Sequence, residues 1–435
     1  MQSVDLRIDA GWIVPIEPAG ALAGHSLVVD AGRIVAVLPT ARVDARFAAR
    51  SRVVLPSHVV IPGLINAHVH AAMNLFRGIA DDVPLQAWLE QHIWPREARF
   101  VTRDFVYDGT LLAAAEMLKN GVTCFSDMYF YPDAAARACR ETGIRGMLGI
   151  IVIDFPTAYA AHTDAYLEQG LAIHDEYRHL PTLHFSLAPH APYTVGDPAW
   201  DKIVMYAREL QLPIHTHVSE TAHEVAGSRD RHGVTPLARL HQLGATGPGF
   251  IGIHGVHLEA ADIELLATHG GTIVHCPVSN MKLGAGIAPV AALLARGVNV
   301  ALGTDGAASN NRLDILGEAR MAALLAKVAA HDPAVLPAQQ ALEMATLGGA
   351  RALGLDERIG SLVPGKEADV VAVDLSAADA RPCYDPVSHL VHVTGSDRVT
   401  DVWVGGRRVV ADHRLTSTDE GAIAARAHIW QERLK

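Results

Sequence analysis

The chain has 435 residues, half of them apolar, with 37 glycines, 23 prolines and a formal net charge of −11. Lysine and arginine form no basic stripe, which argues against nucleic-acid binding through phosphate neutralisation. No apolar run approaches the ~20 residues that span a bilayer, and Met1-Gln2-Ser3-Val4-Asp5 lacks the basic and hydrophobic regions of a signal peptide. No membrane partner is therefore expected, and the cytoplasm is the expected compartment. Four cysteines (Cys124, Cys139, Cys276, Cys383) are scattered with no C-x-x-C pair, so neither a disulfide framework nor a thiolate metal site is indicated.

In chain order, residues 4–57 carry short alternating segments separated by Gly, Pro and Asp, the pattern of antiparallel strands. From about 60 to 330, β-rich runs alternate with helical patterns, and the expected strands are 59–70, 122–128, 145–153, 182–190, 213–220, 250–257, 272–279 and 298–305. Helix signals lie between them. Thr235 is placed to cap a helix that starts at Pro236 and stops before Gly244, and Leu258 to His269 forms another, closed by Gly270-Gly271. Eight strands alternating with helices favour a (β/α)₈ TIM barrel over an open doubly wound sheet. The tail returns to short strands, with Asp401–Val410 reading as a hairpin around Gly405-Gly406. Each flank is too short to bury its apolar face alone. The expected organisation is α/β: residues 59–360 form the barrel, while 1–58 and 361–435 together form a small β-sandwich.

Chemistry concentrates at the expected strand ends. In His68-Val69-His70 the strand period of two places both imidazoles on one face, where one metal ion can take both. His215-Thr216-His217-Val218-Ser219-Glu220, Ile253-His254-Gly255-Val256-His257 and Gly303-Thr304-Asp305-Gly306 follow at the ends of later strands. In an α/β barrel such ends converge on one mouth. Imidazole and carboxylate without thiolate suit a borderline divalent ion: Zn²⁺ first, with Fe²⁺ or Mn²⁺ as alternatives. Strand four, Leu183 to His190, has no lysine to bridge a second ion, so one metal per subunit is expected. His215, one layer deeper than His217 on the same face, reads as barrel filling or as a support behind the ligands, and His257 and His275 read as structural.

These motifs, with Pro62-Gly63-Leu64-Ile65-Asn66-Ala67-His68, Trp94-Pro95-Arg96-Glu97-Ala98, Pro189-His190-Ala191-Pro192-Tyr193 and Cys276-Pro277-Val278-Ser279-Asn280, make the chain resemble the amidohydrolase superfamily. Within it, the chain is similar to the methylthioadenosine/S-adenosylhomocysteine deaminases over nearly its whole length. The resemblance implies that His68, His70, His217 and Asp305 are the metal ligands and that Glu220 is the proton-transfer acid/base. By the same resemblance His254 holds the attacking water, Glu97 takes a ribose hydroxyl pair and His190 reaches the substrate. It also suggests a homodimer or tetramer.

The implied reaction is hydrolytic deamination of an adenine nucleoside, in which Asp305 accepts the water proton and Glu220 protonates the ring. Residues 146–164 contain no arginine or lysine but offer Ile150, Ile151, Val152, Phe155, Pro156 and Tyr159. An apolar wall suits a methylthio group better than a zwitterion, so methylthioadenosine is expected first, with adenosine and S-adenosylhomocysteine weaker. The alternatives on this scaffold are a guanine or cytosine deaminase, a triazine hydrolase, and, in another class, a non-catalytic scaffold protein.

Overall fold

The computed structural model describes residues 1–435 and divides the first of the expected strands in two. Phe47–Pro62 belongs to one sheet and Leu64–Val69 to another, with Gly63 between them. A Cβ at Gly63 would fall 2.0 Å from the Thr123 hydroxyl, so only glycine lets the chain step across. The boundary expected between residues 58 and 59 thus lies inside the longer strand, whose residues Val59 to Pro62 still pair with Val373 to Val370 of the tail. Both stretches are apolar and buried at the step, so no change of hydrophobic period marks it.

The second sheet is the barrel. Leu64–Val69, Val122–Asp127, Arg145–Val152, Leu183–Pro189, Ile214–Val218, Phe250–His254, Thr272–His275 and Asn299–Leu302 pair in sequence order, each parallel to its neighbour. The eighth and first strands meet through backbone and side chains together. Asp305 N–H donates to the His68 carbonyl at 3.1 Å. Asn66 donates to the Thr304 hydroxyl at 2.7 Å and accepts from Thr304 N–H at 3.0 Å. One expected strand, 272–279, stops early: Pro277 occupies the first turn of a short helix, Pro277–Lys282, where its missing N–H costs nothing. The helix signals hold at Thr235, whose side chain accepts from Ala238 N–H, and at Ala260–His269, which ends on Gly270.

The two chain ends build one mixed sheet of nine strands. Gln2–Ile13 pairs antiparallel with His25–Asp30 but parallel with Phe47–Pro62, so the flank is not purely antiparallel as its spacing implied. The hairpin around Gly405-Gly406 forms with Val399–Val404 and Arg407–Ala411, both glycines at positive φ. The sheet turns back on itself, since Ala368 N–H bonds the Gly32 carbonyl and Gly406 N–H the Ala368 carbonyl, both at 2.9 Å. It thereby encloses a core of residues from both ends, among them Ile8, Leu27, Ile34, Val60, Val370 and Trp403. The tail also serves the barrel, because its last helix, Glu420–Leu434, seats Trp430 edge-on against Phe105 of the helix Arg103–Lys119. No helix is long and apolar enough to cross a membrane.

Candidate functional site

Strand ends one, five and eight bring His68, His70, His217 and Asp305 together, with one ligand atom from each lying within 4.8 Å of the others. Each side chain is held from behind, leaving its inner atom for the centre. His70 Nδ1 bonds the Met128 carbonyl at 2.6 Å and His217 Nδ1 the His190 carbonyl at 2.6 Å. His68 Nδ1 lies 3.0 Å from His215 Nε2, whose other nitrogen meets the Ser126 hydroxyl. The Nε2 atoms of His68 and His70 then stand 3.4 and 3.2 Å from Asp305 Oδ1. Asp305 Oδ2 accepts from the hydroxyls of Ser279 and Ser309, each at 2.7 Å.

This donor set fits a divalent metal ion. His68 Nε2 is buried without a hydrogen-bond partner, a costly condition that a metal would relieve. Outer partners that fix ring orientation are the usual companions of metal-binding histidines. Burial opposes ionisation of Asp305, but the imidazoles of His68 and His70 beside it outweigh it and hold the carboxyl well below the usual carboxylate range.

His254 and Glu220 stand beside this centre, with His254 Nε2 3.7 Å from Glu220 Oε1. His254 Nδ1 donates to the Asn280 side-chain carbonyl at 2.8 Å, which presents Nε2 as an acceptor. Burial pushes the Glu220 carboxyl up, and the Asp305 charge acts in the same direction. Glu220 is placed by Glu224, whose carboxylate accepts from the N–H groups of Ser219 and Glu220, both at 2.8 Å. Ser219, His254 and Asp305 all have φ between 51° and 70°. Strain of this kind in non-glycine residues persists where surrounding bonds over-determine it, commonly at functional sites.

A cavity of about 380 Å³ opens from this cluster. Glu97 lines it and is accordingly only partly covered. Its helix, Trp94–Phe100, follows a π-helical turn, Trp88–Ile93, that contributes Trp88, Leu89 and Ile93 to the same wall. Burial pushes the Glu97 carboxyl up, against the lowering effects of the Tyr129 hydroxyl and the His70 charge. His190 also lines the cavity, and burial first, then the His70 charge, lowers it to about 4. Thr194 donates its hydroxyl to the Ala191 carbonyl, so it accepts from His190 Nδ1 at 3.1 Å and leaves Nε2 as an acceptor. Opposite stand Ile153, Phe155, Pro156 and Tyr159. Among the 27 lining residues there is no lysine or arginine.

All eight residues singled out in the sequence therefore meet at one mouth. The sequence reading missed the residues that aim them: Tyr129, Ser126, Glu224, Ser309 and the carbonyl of Met128. His215, read as barrel filling or as a support behind the ligands, touches His68 directly. Asn280 and Ser279, which close the Cys276-Pro277-Val278-Ser279-Asn280 motif, bond His254 and Asp305. Only the strand period could have flagged His215 and Ser126; the others are joined across loops.

Comparisons with known proteins agree with this geometry. The amidohydrolase family model matches residues 59–409. A 5-methylthioadenosine/S-adenosylhomocysteine deaminase of Teredinibacter turnerae is 46% identical over 99% of this chain and 98% of its own length. A 5'-deoxyadenosine deaminase of Methanosarcina mazei is 38% identical over 99% and 98%. The crystal structure of an adenosine deaminase from Xanthomonas campestris with bound zinc superposes with a TM-score of 0.98 at 47% identity, covering 100% of this chain and 99% of that one. A site built on the same strand ends, in a chain matched almost end to end, leaves one conclusion: this protein is an enzyme of the amidohydrolase family, similar throughout to its methylthioadenosine/S-adenosylhomocysteine deaminases.

Proposed function

We propose that the chain deaminates adenine nucleosides hydrolytically, with 5'-methylthioadenosine as its best substrate, giving 5'-methylthioinosine and ammonia. The observation that carries this reading is the cavity's polarity. His70, His217, Glu220, His254 and Asp305 cluster at the metal-site side, Glu97 lines the same cavity, and 18 of the 27 lining residues are hydrophobic with no lysine or arginine among them. An adenine ring with its exocyclic amine fits the first region, a ribose diol the second and a methylthio group the third. The carboxylate of S-adenosylhomocysteine would find no partner, and desolvating an unpaired charge is costly.

A divalent ion, zinc by the nature of its donors, would be held by His68, His70, His217 and Asp305 and would supply an acidified water. His254 Nε2 is placed to accept a hydrogen bond from an attacking water and would aim its oxygen at the carbon bearing the amine. Asp305 takes a proton as the oxygen adds. Glu220 gives a proton to the adjacent ring nitrogen, so the ring accepts electrons without building negative charge. The proton held by Asp305 then passes to the amine, the adduct's hydroxyl proton returns to Glu220, and the carbon–nitrogen bond breaks to release ammonia. A carboxyl whose hold on its proton is strengthened by burial suits this donation, and one such acid/base contribution is worth about 10²- to 10⁴-fold.

The test is ultraviolet monitoring of metal-quantified protein with methylthioadenosine, adenosine, S-adenosylhomocysteine, guanine and a chlorotriazine. The expected result is the highest kcat/KM for methylthioadenosine and its near loss in Glu220→Gln. A higher kcat/KM for S-adenosylhomocysteine would overturn the substrate order. Turnover of guanine or the triazine alone would remove the ribose from the reading.

A further inference from the structure

Glu97 is an acid without a base. No lysine or arginine lines the cavity it faces, and its one protein hydrogen bond is a neutral donor: the Tyr129 hydroxyl gives its proton to Glu97 Oε1 at 2.7 Å. Oε2 makes no bond to the protein and stays accessible from the cavity. Tyr129 is itself buried, packed beside Phe130 and the ring of His70. It belongs to a three-residue segment that does three jobs. Asp127 accepts from Ala71 N–H at 2.8 Å, the Met128 carbonyl holds His70, and Tyr129 holds Glu97.

We infer that Tyr129 is a specificity-determining residue that fixes the Glu97 carboxylate in the rotamer able to receive a vicinal diol, so that one strand end sets the distance between the reacting centre and the sugar. This rests on the ribose role proposed for Glu97. A carboxylate can accept about four hydrogen bonds. With Oε1 anchored, Oε2 and the remaining lone pair of Oε1 lie ready for two sugar hydroxyls, and the acid reaches three donors only when a diol arrives. A substrate lacking the diol leaves that acid buried with a single neutral partner. Selectivity of this kind, where a site polar group is stranded by the wrong substrate, is stronger than selectivity by shape.

The experiment compares kcat and KM for an adenine ribonucleoside and its 2',3'-dideoxy analogue in wild type, Tyr129→Phe, Glu97→Gln and the double variant. Tyr129→Phe removes a single oxygen atom. It is expected to lower the ribonucleoside's kcat/KM by about 10- to 100-fold, the range for a hydrogen bond to a charged group. The loss should fall mainly in KM, with the dideoxy analogue little changed. In the Glu97→Gln background the tyrosine change should alter the ratio no further. Equal losses on both substrates would mean that Tyr129 only supports the fold and would overturn the inference while leaving Glu97 in place. A wild type that does not distinguish the two substrates would overturn the ribose role itself, and this inference with it. Tyr129→Met, which also lacks the donor but packs flexibly, repeats the comparison if the phenylalanine variant folds poorly.

Discussion

The barrel buries charge at both ends and treats it in opposite ways. At the foot, Arg145 opens the third strand and is almost wholly enclosed. Its guanidinium meets Asp369 at 3.1 Å and Glu367 at 2.7 Å, and Glu367 meets Arg358 at 2.7 Å. Burial pushes Glu367 up, but Arg145 and Arg358 outweigh it and leave it below its ordinary value. Two acids thus face two guanidinium groups, and the pairing bolts the barrel to the sheet made by the chain ends. At the mouth, Glu97, Glu220 and Asp305 share a cavity with no lysine or arginine, and burial pushes both glutamates up. The foot supplies its own counter-charge, and the mouth leaves its acids without a lysine or arginine partner. Buried charge is structural where the chain completes it and functional where the chain leaves it open.

The largest effect that probes this contrast is Glu220→Gln, expected to lower kcat/KM by about 10²- to 10⁴-fold with little change in melting temperature. The reverse pattern is expected at the foot. Arg145→Met strands Asp369 and should cost about 3–5 kcal/mol in chemical denaturation, whereas Glu97→Gln should leave stability unchanged or higher. Equal stability losses from the two would erase the distinction. Next in size is a cation placed in the mouth. Phe155 stands at the cavity rim, 37% exposed, so Phe155→Arg can hold its charge partly in water. It should raise the preference for S-adenosylhomocysteine relative to methylthioadenosine by roughly 10-fold, read from paired kcat/KM values.

The smallest effect lies behind the mouth. Burial pushes the Glu318 carboxyl up to about 8, against the lowering effects of its bonds from Asn310 and Val278. Its proton is therefore held more tightly in the folded chain than in the unfolded one, where a glutamate titrates near 4.3. Folding takes up that proton between those values, so this contribution to stability is complete below the lower one and is lost as pH rises towards the upper one. Glu318→Gln should flatten the fall in melting temperature between pH 5 and pH 8, even though it leaves one donor unpaired. An unchanged slope would show that the acid is already ionised in the fold.

Much of the site could be read from the chain because its chemistry sits on strands. A period of two puts His68 with His70 and His215 with His217, and a parallel barrel sends every strand end to one mouth, so ligand order follows strand order. Loop partners carry no such period. Nothing near Glu97 points to Tyr129, 32 positions away, and nothing near Asp305 names Ser279, because hydrogen bonds between loops depend on where whole elements come to rest. The same holds for Gly63: residues 59–69 form an apolar run that reads as one strand, and only the approach of Thr123 shows why a glycine must divide it. The sequence by itself determined the β/α alternation, the pairing of histidines on shared strand faces and the absence of cations along residues 146–164, since each follows from local period or composition. The tertiary structure alone decided which acid is paired and which is left open, because the energy of a buried charge depends on what the rest of the fold brings within reach.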